Sequence, residues 1–341
     1  MPWSTTKAFV LLGFERMGDA LLASGALRLL REARPELHLV AVTRQASDAV
    51  LATAPYLDAT VPARGGRGMF GRRIYARRTA AAIAAQLEHA GLDPERATVI
   101  ALRDRAPYRD LTRRLGAAYL PRDILDPGYH GHHSMRYAQA FEVLGLAAPD
   151  APLPAALTVT LEDLAQARAV SSALPGPPEA RVFLHVGASE LRLWSEGRSG
   201  RVWPAASFAV LADALAMTGS IVIGHAVGAA ERWQLGRIER LARPETRIHR
   251  LPPLSPRAFA ALLRTGGVLV TGDTGPMHLA AAVGARLVAL FGPSDPAATG
   301  PVSPPSRCAV LAPDEPGPCR IPVPRVAAAV RRLAAAAGTG S

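Results

Sequence analysis

The sequence contains few cysteines and no long apolar run. Cys308 and Cys319 are its only cysteines, and they form no CxxC pair and no cluster with histidine. A disulfide-stabilised scaffold and a structural zinc site both need more thiols. No run of about 18 apolar residues is present, and the apolar stretch at residues 9–14 is too short for a signal peptide. We therefore expect a cytoplasmic protein.

Lysine and aromatic residues are also scarce, which bears on the kind of partner. The formal net charge is +11, yet Lys7 is the only lysine among 39 basic residues. An excess of positive charge favours an acidic partner, namely nucleic acid, an anionic membrane surface or a phosphorylated substrate. Aromatic residues make up only 5% of the chain, and no basic helical face is interleaved with them. We therefore predict no nucleic-acid partner.

The length of 341 residues predicts two domains, each with its own core. Residues 8–12 form an apolar strand pattern, followed by a glycine-containing turn and a helical pattern that ends at Pro35. This order is typical of a doubly wound α/β sheet. Two proline-rich segments of linker composition bracket a short strand and a helix, after which a second α/β series begins. We predict an N-terminal domain at 1–150, a linker region at 151–180, a C-terminal domain at 181–322 and a final helix and tail at 323–341.

Residues 266–294 combine a buried strand, a Gly-Asp-Thr turn and an alanine-rich helix. Asp273 and Thr274 suit the helix cap, and His278 follows one turn later. A strand that opens directly into a helix presents free backbone N–H groups and the positive end of the helix dipole, which together attract an anion. An ordinary capped corner without a ligand is the alternative interpretation.

Asp19 follows the first predicted strand, at the position where open α/β sheets bind ligands. Helix capping is the alternative role for this carboxylate. The turn before it lacks the GxGxxG pattern, so no dinucleotide fingerprint is present.

Residues 61–79 carry six arginines and no acidic residue. The glycines predict a loop that enters a helix near residue 72. Four of these arginines are candidate acceptor-binding residues: Arg64, Arg67, Arg72 and Arg73. They could bind a phosphorylated or lipid-linked acceptor or contact an anionic leaflet; a solvated charged loop is the alternative.

Three histidines precede an amphipathic helical pattern, with His132 and Arg136 one turn apart. Such a group suggests a metal, but no nearby Asp, Glu or Cys completes a ligand set. Contacts to substrate or helix capping are therefore favoured, and His132 and Arg136 are further candidate acceptor-binding residues. We predict no metal site.

Three ordered motifs resemble glycosyltransferase family 9, the ADP-heptose:lipopolysaccharide heptosyltransferases, over nearly the whole chain. ERMGD at 15–19 is similar to the family's N-terminal acid-Arg-Ile-Gly-Asp. HVGAS at 185–189, followed by Arg201, Trp203 and Pro204, resembles a second pattern. DTGPMHLAAA at 273–282 and LFGP at 290–293 resemble a third.

The resemblance implies an α/β fold of the GT-B type, with two Rossmann-like domains and parallel sheets facing across a cleft. The final helix is expected to pack back on the N-terminal domain. Asp19 becomes the candidate general base. The resemblance assigns donor binding to Ser189, Arg201, Glu231, Asp273, Thr274, Gly275 and His278.

The implied activity is inverting transfer of heptose from ADP-heptose to a hydroxyl of lipopolysaccharide inner core. No cofactor or metal is expected, because no Asp-x-Asp pair is present. The implied partners are a nucleotide-sugar donor and a phosphorylated or lipid-linked saccharide acceptor, with peripheral contact to the anionic inner membrane surface. The alternatives are another nucleotide-sugar, or a protein or secondary-metabolite acceptor, and a binding module on a decayed transferase fold.

Several positions depart from the family pattern. The family has lysine at the position of Arg201, and the preceding segment 190–200 is long, so Arg192 or Arg198 is an alternative phosphate contact. Gly13 replaces a family arginine. The sequence RDR at 103–105 replaces a glycine-containing acceptor segment. The last two departures lie on the acceptor side.

Overall fold

A computed structural model of the chain describes residues 7–64, 68–188, 191, 200–315 and 317–336. The chain divides into two compact units, Met1–Thr158 and Val159–Ser341. Two residues assigned to binding sites, Arg67 and Ser189, lie outside the described residues, as do the alternative phosphate contacts Arg192 and Arg198.

The first unit is built on a parallel sheet with the strand order β3-β2-β1-β4-β5. Its strands are β1 (Ala8–Phe14), β2 (His38–Thr43), β3 (Ala59–Pro62), β4 (Thr98–Ala101) and β5 (Ala118–Pro121). Its helices are α1 (Met17–Ala33), α2 (Gln45–Leu51), α3 (Gly68–His89), α4 (Ala106–Leu115) and α5 (His133–Phe141). Every residue of β1 is buried, as expected for a central parallel strand covered on both faces.

The second unit contains a parallel sheet with the order β11-β10-β9-β6-β7-β8. Its strands are β6 (Arg181–His185), β7 (Ile221–His225), β8 (Ile248–Arg250), β9 (Val268–Gly272), β10 (Arg286–Leu290) and β11 (Cys308–Leu311). Its helices are α6 (Leu161–Ala173), α7 (Ala205–Ala216), α8 (Ala229–Leu241), α9 (Pro256–Arg264), α10 (Gly275–Ala282), α11 (Pro296–Thr299) and α12 (Val323–Ala335). The predicted α/β class with parallel sheets is confirmed.

One predicted boundary differs from the structure. Helix α3 begins at Gly68, one turn before the predicted start, although glycine is a poor helix former. Between the two proline-rich segments lies α6, whose cap is a reciprocal pair of Thr160 and Asp163. Asp163 also accepts hydrogen bonds from Arg257 Nε at 2.8 Å and Ser255 Oγ at 3.1 Å. These contacts attach α6 to α9 within the second unit.

The final helix contributes to the core of the second unit. Val326, Val330 and Leu333 on α12 are fully buried there, packed with residues of α7 and β10. Packing of this helix on the first domain stays a prediction. Among the described residues, no helix combines the length and the apolar composition that crossing a bilayer requires.

Candidate functional site

Asp19 and Arg103 meet at the switch point of the first sheet. β1 lies between β2 and β4, so the chain leaves the central strands in opposite directions at their carboxyl ends. Asp19 stands in the first turn of α1, just after β1, and Arg103 follows β4. Arg103 Nη2 lies 3.4 Å from Asp19 Oδ1, and each side chain is only 19% exposed. A largely buried ion pair therefore occupies the position where such sheets bind ligands.

The environment of Asp19 favours proton uptake. Burial raises the pKa of its carboxyl above the ordinary value, because ionisation is less favourable away from water. The guanidinium of Arg103 opposes this rise, as does Arg16, while Glu15 adds to it. Asp19 is therefore a stronger base than an exposed aspartate, with Arg103 limiting the pKa shift.

Helix α5 closes this site from one side, since it packs along α1. Tyr137 is fully buried, and burial together with Asp19 raises the pKa of its hydroxyl while a hydrogen bond with Arg103 opposes the rise. Burial and the nearby Arg136 and Arg103 lower the pKa of His133 to about 4. Both side chains are therefore neutral near pH 7 and add no charge beside the Asp19–Arg103 pair.

A second network lies beside this pair. Arg105 Nη1 donates to both carboxylate oxygens of Glu15 at 2.7 Å, and Tyr108 Oη donates to Glu15 Oε1 at 2.9 Å. Glu15 is the first residue of the ERMGD motif. Its carboxylate is therefore engaged by α4 and the segment before it.

The predicted acceptor residues are dispersed within the first unit. Arg64 follows β3 and is exposed, and Arg72 and Arg73 are exposed on α3. His132 is buried and caps α5, where its Nδ1 accepts the backbone N–H of Ser134 at 3.2 Å. Arg136 Nε donates to the carbonyl of Gly131 at 3.1 Å. Acceptor binding by these residues stays a prediction; within the described ranges, no three His, Cys, Asp or Glu side chains converge as for a metal ion.

Arg201 and Asp273 lie at the switch point of the second sheet, where β6 and β9 are neighbours. Asp273 comes directly after β9. Arg201 Nη1 lies 3.9 Å from Asp273 Oδ2, with 32% and 11% of the two side chains exposed. The loose geometry leaves the guanidinium partly open to solvent, beside the start of α10.

The start of α10 differs in one respect from the prediction. Thr274 occupies the N-cap position, but its side chain makes no capping hydrogen bond. Its hydroxyl instead pairs with that of Thr271 at 3.0 Å, because β9 ends close to the turn. Pro276 has no N–H. The helix dipole at Gly275 is therefore not neutralised by the side chain of Thr274, while His278 lies buried one turn further on.

Hydrogen bonds to the segment before α12 fix the residues on both sides of Arg201. The backbone N–H of Cys319 donates to the carbonyl of Gly200 at 2.6 Å, and Trp203 Nε1 donates to the carbonyl of Ile321 at 3.0 Å. A side chain at Gly292 would collide with that same carbonyl of Gly200. The glycine of the LFGP motif thus leaves room for the segment that positions Arg201.

Glu231 stands in the first turn of α8, and its carboxylate is closely packed. Its Oε2 accepts the backbone N–H of Val227 at 2.7 Å, and its Oε1 lies 4.0 Å from His185 Nε2. A Cβ at Gly187 would collide with the carboxylate, so this glycine allows Glu231 to approach the backbone beyond β6.

Two residues of these sites were not assigned from the sequence. His225 ends β7, and its Nδ1 lies 3.1 Å from Nδ1 of His185. Arg103 ends the turn after β4. Both are polar residues directly after or at the end of an apolar strand, the same signal that identified Asp19; only the strand order shows which of them are neighbours.

A family model matches more than half of the chain. The model of glycosyltransferase family 9 (heptosyltransferase) matches residues 98–323. No curated protein matches the chain.

The solved structures show the fold. A glycosyl transferase family 9 protein from Veillonella parvula superposes with a TM-score of 0.76 at 20% identity, covering 96% of this chain and 97% of that one. Escherichia coli ADP-heptose lps heptosyltransferase II gives 0.74 at 19% identity, with 98% and 100% covered. The E. coli heptosyltransferase WaaC with ADP gives 0.68 at 18% identity, with 96% and 99% covered. The predicted GT-B class is confirmed.

Proposed function

Because the chain belongs to glycosyltransferase family 9, we propose that it transfers heptose from ADP-heptose to a hydroxyl of lipopolysaccharide inner core, with inversion and without a metal. One observation carries the proposal. Each sheet has a polar site at its switch point, one with a basic carboxylate at Asp19 and the other with a cation and a helix N-terminus at Arg201 and Gly275.

The carboxylate supplies the proton acceptor. An acceptor hydroxyl attacks the anomeric carbon, its proton passes to Asp19, and the bond from that carbon to the diphosphate oxygen breaks. The raised pKa of Asp19 suits this role, since a stronger base takes the proton more readily as the oxygen becomes acidic.

The second site accommodates the donor. The leaving diphosphate gains negative charge, which Arg201 and the α10 N-terminus stabilise. Metal independence is part of the proposal, supported by the absence of an Asp-x-Asp pair from the sequence. We assign the remaining donor contacts to Ser189, Asp273, Thr274 and His278, and the ribose to Glu231.

A membrane-facing acceptor is supported by the start of α3. Phe70 is 77% exposed and Ile74 50% exposed, one turn apart and beside the exposed Arg72 and Arg73. Apolar side chains among cations favour an anionic lipid surface. With Arg64 and Arg67, these arginines would bind a phosphorylated, lipid-linked acceptor.

A donor screen tests the proposal. Purified protein is incubated with ADP-, GDP- and UDP-sugars, with and without deep-rough lipopolysaccharide, and nucleotide release is measured. We expect ADP release from ADP-heptose that depends on the acceptor. Release from another nucleotide-sugar would favour a family 9 transferase with a different donor. Release with a protein or small soluble acceptor would favour a different acceptor, in line with the departures at Gly13 and at the RDR segment 103–105. No turnover with any pair would contradict the transferase assignment.

Vesicle sedimentation tests the membrane contact separately. Replacing Phe70 and Ile74 together by serine should reduce binding to phosphatidylglycerol vesicles. The matched control replaces the exposed apolar residues Val210 and Met217 of the second unit by serine. Equal binding of both variants and the native protein would contradict this contact.

A further inference from the structure

A buried pair of histidines lies behind Glu231. His185 and His225 end the neighbouring parallel strands β6 and β7 and are paired in register. Their Nδ1 atoms are 3.1 Å apart, and the two residues are 3% and 6% exposed. On its other side, the ring of His225 stacks on Phe259 of α9, with ring centres 3.9 Å apart and planes at 19°. The position of His225 is therefore set by packing that does not involve Glu231.

The pair can share only one proton between the facing nitrogens. A neutral imidazole carries a single N–H, and two Nδ1–H groups facing each other would clash. Burial lowers the pKa of both histidines, His225 well below its ordinary value. Glu231 and a hydrogen bond with the backbone of His225 oppose this lowering for His185 without reversing it, so both rings are neutral near pH 7. Either His225 donates to His185 through Nδ1, or the reverse holds.

The carboxylate of Glu231 favours the first arrangement. His185 Nε2 lies 4.0 Å from Glu231 Oε1. If His225 donates, His185 must carry its proton on Nε2, and this N–H faces the negative charge. In the opposite arrangement a lone pair would face the carboxylate, which is repulsive. A chain thus runs from His225 to Glu231 through one hydrogen bond at 3.1 Å and one contact at 4.0 Å between the N–H dipole of His185 and the carboxylate charge.

The Glu231 carboxylate is therefore surrounded by groups of this unit. Gly187 provides space on one side, and the N–H of Val227 holds Oε2 at 2.7 Å. His185 faces the other oxygen. The remaining lone pairs of both oxygens are available to an outside donor of hydrogen bonds.

We propose that His225 is a positioning residue for the donor nucleotide: it orients His185, which orients Glu231 to accept hydrogen bonds from the ribose hydroxyls. The inference rests on the proposed function, in which Glu231 binds the donor ribose. It adds a residue outside all three family motifs and predicts that selectivity for ribose over deoxyribose depends on a side chain that does not touch the nucleotide.

Nucleotide binding to a matched pair of variants tests the proposal. Asparagine and leucine have similar size, and both lose the stacking on Phe259, but only asparagine keeps a hydrogen-bonding group near the Nδ1 position. We expect His225→Leu to weaken ADP binding about fivefold, the typical effect of one lost hydrogen bond. Binding of 2′-deoxy-ADP, which keeps only the 3′-hydroxyl, should weaken less, so the preference for ADP should fall. His225→Asn should retain the native preference for ADP. Calorimetry with both nucleotides measures this.

The contrary outcomes are distinct. Equal loss of ADP and 2′-deoxy-ADP binding, or equal behaviour of the two variants, would overturn the positioning role. Native protein that binds ADP without preferring it to 2′-deoxy-ADP would instead contradict the ribose role of Glu231, and native protein that does not bind ADP would contradict the donor site.

A spectroscopic measurement on the native protein decides the proton arrangement, even where a variant does not fold or the donor assignment is wrong. Nitrogen-15 NMR of histidine-labelled protein distinguishes the two tautomers of each ring. We expect an Nδ1–H tautomer for His225 and an Nε2–H tautomer for His185. The reverse pattern, or a protonated ring at pH 7, would overturn the proposal.

Discussion

The two switch points use different chemistry, although both lie at the carboxyl ends of central strands in parallel sheets. In the first unit, Asp19 and Arg103 form an ion pair in which each side chain is 19% exposed. In the second, the partly open Arg201 stands beside a helix N-terminus, and the residues behind Glu231 are neutral, buried imidazoles. One site is arranged to take up a proton and the other to hold a charged ligand.

The difference shows how one scaffold supports two tasks. A base needs a raised pKa, and partial burial raises the pKa of Asp19. An anion is bound by a cation that solvent can reach and by the N–H groups of a helix N-terminus. At α10 the Thr274 hydroxyl pairs with Thr271 and does not cap the helix. The comparison therefore predicts that changes in the first unit alter turnover and changes in the second alter donor affinity.

The largest expected effect separates the two tasks. Asp19→Asn keeps the size of the side chain but removes the base, so turnover should fall at least about a hundredfold, the lower range for general-base catalysis. The dissociation constant for ADP should stay within about twofold. Asp110→Asn, at an exposed ion pair of α4, is the control and should leave both quantities unchanged. Normal turnover of Asp19→Asn would remove the catalytic assignment.

The second largest expected effect is a loss of ADP affinity when Arg201 is replaced. Arg201→Met keeps an unbranched side chain without the charge, and ADP affinity should fall about tenfold or more, because hydrogen bonds to charged groups contribute about 1.5–3 kcal/mol. Arg201→Lys should recover part of the loss, since it restores the charge without the fork. Arg243→Met, in an exposed contact with Asp213, serves as the control. If Arg201→Met binds ADP normally, the phosphate contact lies elsewhere.

The smallest expected effect is a shift in the pH dependence of activity when Arg103 is replaced. Arg103 lowers the pKa of Asp19 against the effect of burial, so Arg103→Met should raise that pKa further. Since the ionised carboxylate is the active form, the acid limb of the kcat/KM profile should move to higher pH. Activity well above the limb should change little if Arg103 acts only on this pKa. Arg113→Met, which loses an exposed pair with Asp110 on α4, is the control and should leave the limb in place. For Arg103→Met, a limb that stays in place or moves down would contradict the role of Arg103.

The same carboxyl has a predictable effect on stability. Its pKa is raised in the folded state, so the folded protein holds the proton over a pH range in which the unfolded chain has released it. The resulting cost to stability is absent below the unfolded pKa, grows as pH rises through the interval between the two pKa values, and is complete above the folded pKa. Arg103 reduces this cost.

Much of the fold could be predicted because the patterns that specify it are local. β1 and α1 follow from an apolar run, a glycine turn and helical spacing that ends before Pro35. Short polar strands such as β8, with the sequence IHR, give no such signal. The helical pattern of α6 is local, but the contact that fixes its position is not, because Asp163 binds Arg257, which is 94 residues away in the chain.

The candidate sites show the same division between local and distant information. Asp19 and Asp273 were identified because each lies within a motif beside a strand end. Arg103 and His225 were not, since their partners lie 84 and 40 residues away. Nothing local distinguishes a polar residue beside a switch point from one at an ordinary strand end.

The sequence by itself determined the family, the α/β class and the polar residues that follow the strands, because motifs and hydrophobic periodicity are carried by neighbouring residues. Only the tertiary structure decided which of these polar residues meet. In a doubly wound sheet the spatial order of strands differs from their order in the chain, so β1 lies beside β4 and β6 beside β9. That order brings Arg103 to Asp19, and the register of β6 with β7 brings His225 to His185.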